Sequence, residues 1–78
     1  MDNKILEEVI EVISNVTEVE KDMIKEDSNL IKDLEIDSLD LVDLVVEFEN
    51  KYDFKIPDQD VKEIQTVKDI VEYIKSHV

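Results

Sequence analysis

Ser38 is the only hydroxyl side chain in "LEIDSLDLVDLVVEF", residues 34–48, and Asp37 and Asp40 stand close on either side of it. A serine becomes a nucleophile when a placed base takes its proton, and carboxylates adjacent in sequence do not supply that geometry. The sole histidine, His77, lies far along the chain where the last helix is expected to fray, and a glycine-free sequence offers no oxyanion loop. Hydrolase chemistry is therefore disfavoured. Two roles remain for Ser38: a favoured residue for starting a helix, or an acceptor of covalent modification. A helix N-terminus holds phosphate through its free N–H groups and its dipole, so a phosphodiester on this hydroxyl would be tolerated beside two acids.

Other chemistries are narrowed by what the chain lacks. With no cysteine there is no disulfide and no thiolate metal site. With no glycine there is no phosphate-binding loop or dinucleotide fingerprint, and an EF-hand loop loses its turn residue. Asp58 with Asp60, or Asp37 with Asp40, could hold Ca²⁺ loosely, but neither pair approaches the six oxygens of a dedicated site. A net charge of −13 on 78 residues repels nucleic acid and anionic membrane and steers the protein toward basic surfaces. No apolar run is long enough for a membrane span, so membrane insertion is not expected. The first residues lack the apolar core of a signal peptide and the Arg-rich character of a transit peptide, which makes a cytoplasmic location the expectation.

The length allows one domain with a small core, 1–78, and the hydrophobic share of 42% suffices for a packed fold. Ile5, Leu6, Val9, Ile10 and Ile13 make one helical stripe, with Asp2 or Asn3 as cap and Ser14-Asn15 as the end. Residues 16–36 show no sustained period. They predict a long ordered connection with a helical turn, pinned by Val19, Met23, Ile24, Leu30, Ile31, Leu34 and Ile36. A second helix is expected over Ser38–Tyr52 with Asp37 as cap. A short one follows from Pro57 to Glu63, and a last one begins at the T-x-x-D of Thr66 and Asp69, with Val67, Ile70, Val71 and Ile74 facing in. The expected fold is all-α: a four-helix bundle of three longer helices and one short helix, with a long first connection.

Spacing residues about 100° apart around the second helix separates three arcs. Leu41, Leu44, Val45, Phe48 and Tyr52 form the core face. Asp40, Asp43 and Glu47 form an acidic stripe roughly opposite. Leu39, Val42 and Val46 form a second apolar arc beside the acids. That third arc is either a docking surface, with apolar contacts for grip and carboxylates for steering, or it is covered by the connection 16–36.

"DLEIDSLDLVDLV", followed by "FENKYDFKIPDQD" and "TVKDIVEYI", resembles the acyl carrier proteins of the discrete, fatty-acid-synthesis type over essentially the whole chain. The resemblance implies that Ser38 carries 4′-phosphopantetheine, placed there from coenzyme A by a phosphopantetheinyl transferase. The thiol of that arm would hold acyl groups as thioesters, sheltered between the helices. It also implies a monomeric carrier that is not itself an enzyme. Its partners would be the transferase, fatty acid synthesis enzymes and acyltransferases, met through their basic patches. Asp37, Asp40, Asp43 and Glu49 match acidic contact positions, and Leu39, Val42 and Val46 match apolar ones. Carriers for polyketides, peptides or other specialised acyl groups share the same serine and are the alternative. The departures are Glu35 where the family commonly has glycine, Leu41 in place of a small polar residue, and Asn50 and Lys51 in place of glutamates.

Overall fold

The computed structural model describes residues 3–77. Four α-helices follow in order: α1 (Asn3–Thr17), α2 (Ser38–Tyr52), α3 (Asp58–Val61) and α4 (Val67–His77). Among the described residues there is no strand, only an isolated antiparallel bridge between Asn29 and Thr66. The architecture is the expected all-α bundle of three longer helices and one short one.

Helix α1 packs against both α2 and α4. Val9 and Ile13 of α1 are fully buried and meet Leu44 and Phe48 of α2 and Val67, Ile70, Val71 and Ile74 of α4 in one core. The cap expected at Asp2 falls outside the described residues. The end expected at Ser14-Asn15 is overturned: α1 continues to Thr17. Val12 and Val16 lean on the core, and that packing outweighs the weak helix propensity of β-branched residues. The Thr17 hydroxyl donates to the Ile13 carbonyl at 2.6 Å. The helix then stops at Glu18, whose φ of 63° is left-handed and whose N–H closes onto the Ser14 carbonyl.

The connection is ordered and contains the expected helical turn, a 3₁₀ turn at Lys21–Met23. Ile24, Leu30, Leu34 and Ile36 are its buried anchors and Val19 is partly buried, but Met23 and Ile31 face solvent. The last two are corrections, and the reason is local. Met23 ends the 3₁₀ turn on its outer side, and Ile31 lies in the turn that Asn29 nucleates. Asn29 Oδ1 accepts from the N–H groups of Ile31 and Lys32, and Asp33 Oδ2 accepts from the N–H of Asn29. Backbone bonds from Leu30 to Gln65, Val67 to Ser28 and Lys68 to Glu26 then fasten the connection to the start of α4.

Helix α3 is shorter than the expected Pro57–Glu63. Pro57 is not its first turn but its cap residue, with ψ of 150°, and its carbonyl accepts from Asp60 and Val61. Helix α4 opens with a reciprocal capping box. The Asp69 N–H donates to Thr66 Oγ1 at 3.2 Å, and the Thr66 N–H donates to Asp69 Oδ2 at 3.1 Å. At its far end His77 is not frayed: its ring stacks on Tyr73 at 4.2 Å with the planes 15° apart.

Candidate functional site

Ser38 is the first residue of α2 and is exposed. Its position is set by Asp37, whose backbone is extended (φ −83°, ψ 173°) and whose Oδ1 accepts the Asp40 N–H at 2.9 Å. Asp37 thus satisfies one of the orphan donors of the first turn and fixes where the helix begins. Upstream, the Ile36 N–H bonds to the Leu30 carbonyl and the Ile36 side chain is buried, so the entry to the site is anchored. Between these anchors Glu35 adopts φ of 55°. The loop takes a left-handed residue there, a conformation that glycine adopts freely and that Glu35 holds at a cost.

The three arcs of α2 separate as the spacing predicts. Leu44 and Phe48 are buried, and Leu41, Val45 and Tyr52 are partly buried around them. Leu39, Val42 and Val46 are 77%, 57% and 46% exposed, so the connection does not cover them. Asp43 and Glu47 are exposed beside that arc, and Asp40, half-buried, completes the acidic stripe. Ser38, the exposed apolar arc and the acidic stripe therefore share one side of one helix. Glu49 is placed differently. It is half-buried, and its Oε2 accepts the Ile56 N–H at 2.8 Å, tying the start of the α3 segment to α2.

A seam lined by Leu41, Leu44, Val45 and Phe48 of α2, Ile56, Val61 and Ile64 around α3, and Ile70, Tyr73 and Ile74 of α4 runs between these helices, with about 10 Å³ of free space. Leu41 also floors a wider depression outside the seam, shared with Asn29, Ile31, Lys32, Val61, Lys62, Ile64 and Gln65. No acid lines it, although the chain carries 22 acids and only 9 basic residues. Leu41, which borders it, lies one turn of helix from Ser38.

Tyr73 belongs to the site and was not among the sequence-predicted residues. Its ring lines the seam and its hydroxyl donates to Asp60 Oδ2 at 2.7 Å. Burial and that bond push its pKa up to about 12. On the opposite side the Tyr52 hydroxyl donates to Glu8 at 2.5 Å, and burial followed by the Glu8 bond raises its pKa as well. The signal for Tyr73 was its place three residues after Ile70 on α4. Among the described residues no three His, Cys, Asp or Glu side chains gather as a metal ion needs. Asp60 bonds to Tyr73 and Asp37 caps α2. No described helix is long and apolar enough to cross a membrane.

The family model described as "Phosphopantetheine attachment site" matches residues 7–74. An acyl carrier protein of Lactobacillus acidophilus is 40% identical over 76 residues, covering 97% of this chain and 95% of that protein. One from Chlorobium phaeobacteroides is 44% identical over 71 residues, covering 91% of each. A solved structure of a candidate acyl carrier protein from Mycobacterium tuberculosis superposes with a TM-score of 0.88 at 27% identity, over 95% of this chain and 99% of that one.

Proposed function

The chain belongs to the acyl carrier protein family, whose prosthetic group is 4′-phosphopantetheine, and on that premise we propose that Ser38 is the attachment point and that the protein carries acyl chains for fatty acid synthesis. The observation that carries this reading is the arrangement on α2. An exposed serine hydroxyl, bonded to no other described side chain, starts a helix whose outer side presents an acidic stripe beside an exposed apolar arc.

The surroundings of Ser38 fit the group. Attachment joins Ser38 Oγ to the phosphate of the arm, the hydroxyl proton passes to the transferase's base, and the nucleotide part of coenzyme A leaves. The start of α2 offers the positive end of the helix dipole for the phosphate, and the depression that Leu41 borders offers Asn29 and Gln65 for the amides of the arm and Ile31, Val61 and Ile64 for its methyl and methylene groups. The group, when bound, supplies the thiol that a cysteine-free chain lacks. This chain's residues do the rest. Asp37 holds the start of α2, Asp40, Asp43 and Glu47 steer basic partner surfaces, and Leu39, Val42 and Val46 supply apolar contact. The seam between α2, α3 and α4 shelters the acyl chain. Glu49 acts through the scaffold, by holding Ile56. Residues 1–78 act as a single carrier domain, a monomeric cytoplasmic substrate of other enzymes and no enzyme itself. The acidic α2 supports the fatty acid pathway over specialised ones, because it suits several basic partners in turn.

The test is intact mass after incubation with coenzyme A and a phosphopantetheinyl transferase. The wild type gains the mass of the arm and Ser38→Ala gains nothing. Gain of mass by the variant, or none by the wild type, ends the proposal.

A further inference from the structure

The seam that would shelter the acyl chain has about 10 Å³ free, roughly the space of one water, so an occupant enters only if a wall moves. Helices α2 and α4 are poor candidates to move, because each packs on α1 and each contributes fully buried side chains. Helix α3 is four residues long and none of them is buried. Its segment is fixed at both ends. Buried Ile56 bonds through its N–H to Glu49, and the Gln65 carbonyl accepts from Leu30. Between those points the Tyr73 hydroxyl of α4 donates to Asp60 Oδ2 of α3 and ties α3 to the bundle. The Tyr73 ring is backed by His77 at 4.2 Å and Phe54 at 5.9 Å, so it is packed in place and cannot readily follow α3 outward.

We propose that the Tyr73–Asp60 hydrogen bond is a latch on the α3 wall, and that it sets which acyl chains the seam admits. Short chains are taken up by small side-chain shifts with the bond kept. Longer chains require α3 to swing away from α4, and the bond is broken. Tyr73 is thereby a specificity-determining residue, touching the cargo with its ring and restraining the wall with its hydroxyl. This rests on Ser38 carrying the arm and on the seam taking the chain.

The test compares wild type, Tyr73→Phe, Asp60→Ala and Tyr52→Phe, each loaded with butanoyl, octanoyl or dodecanoyl pantetheine and verified by intact mass. The readout is the rate of thioester cleavage by hydroxylamine. Tyr52→Phe loses a comparable tyrosine–carboxylate bond that does not border the seam, and so reports general loosening. The expected result is protection of butanoyl in all four proteins. Dodecanoyl cleavage should slow about tenfold in Tyr73→Phe and Asp60→Ala only, the size expected for removing one hydrogen bond to a charged group. The double variant Tyr73→Phe/Asp60→Ala should match either single one. Unchanged profiles in Tyr73→Phe and Asp60→Ala, the same shift in Tyr52→Phe, or additive shifts in the double variant overturn the latch alone. Wild type that never accepts the arm overturns the carrier reading, and wild type cleaved equally at every chain length overturns the seam as shelter. The latch falls with either.

Discussion

Replacing Glu35 by Gly should stabilise the protein without moving the site. Glu35 is exposed and sits at φ of 55°, where Cβ crowds the backbone. Holding an ordinary L-residue there costs about 1–2 kcal/mol. Glycine removes that cost but has more unfolded-state freedom to lose, about 0.5–1 kcal/mol. The expected net gain is therefore about 0.5–1 kcal/mol. For a domain of this size, 1 kcal/mol corresponds to about 4–8 °C in Tm, so the melting temperature should rise by roughly 2–8 °C. Asp53 is an internal standard. It caps α2 at φ of 56° and ψ of 54°, but an aspartate tolerates that region better than a glutamate does. Asp53→Gly should accordingly gain less than Glu35→Gly.

Circular-dichroism melts and urea titrations of the three proteins provide the assay, with equal m-values as the check that each unfolds with the same exposure of surface. Modification of Ser38 by a transferase should proceed at the wild-type rate in Glu35→Gly, since Ile36 and Asp37 anchor the loop on their own. No gain in Glu35→Gly, or a larger gain in Asp53→Gly, would show that the left-handed backbone at residue 35 is not strained. A changed modification rate would show that Glu35 helps to place Ser38.

Three further outcomes follow from the structure. Phe48→Ala, fully buried, should cost about 3–5 kcal/mol in denaturant titration, whereas Val42→Ala and Val46→Ala should cost well under 1 kcal/mol yet speed dissociation from the transferase; equal destabilisation would make the third arc core. Charge reversal to Lys at Asp40 or Asp43 should slow transferase association and flatten its salt dependence, measured by stopped-flow, while salt or Mg²⁺ should raise the wild-type Tm by screening a net charge of −13. Tyr73 favours its neutral form in the fold, so its contribution is fully present below the unfolded tyrosine pKa near 10 and is lost as pH rises toward about 12; alkaline melts should show stability falling across that window, less steeply in Tyr73→Phe.

The long helices were legible because each carries its own period and punctuation. Asp37 and Thr66 are oxygen-bearing caps, and Val67, Ile70, Val71 and Ile74 recur at helical spacing, so α2 and α4 begin where the sequence places them. The three arcs of α2 were legible for the same reason, although spacing alone left open what lay over Leu39, Val42 and Val46. That depended on where the connection runs, which tertiary bonds decide: Leu30 to Gln65 and Val67 to Ser28 draw residues 24–36 toward α4, away from the exposed arc. Met23 and Ile31 are turned outward locally, by the 3₁₀ turn and by the turn that Asn29 nucleates. Both are apolar enough to read as anchors, but an aperiodic segment gives no rule for which of its side chains turns inward. The tail of α1 reflects packing overriding propensity at Val16 and the Thr17 hydroxyl bonding back to Ile13.

Tyr73 is the most instructive omission. A tyrosine three residues after Ile70 reads locally as the margin of the inner face and says nothing of a hydrogen-bond partner. Its role depends on Asp60, thirteen residues away on a helix too short to show a period. Side chains that tie one element to another leave no periodic trace, because neither partner needs regular spacing to meet. Glu49 and Ile56 repeat the point across the turn between α2 and α3. In this fold the exposed apolar arc and the acidic stripe of α2 are written in local pattern. The bonds that tie α3 to its neighbours are written in pairs, and pairs are visible only once the chain has been folded.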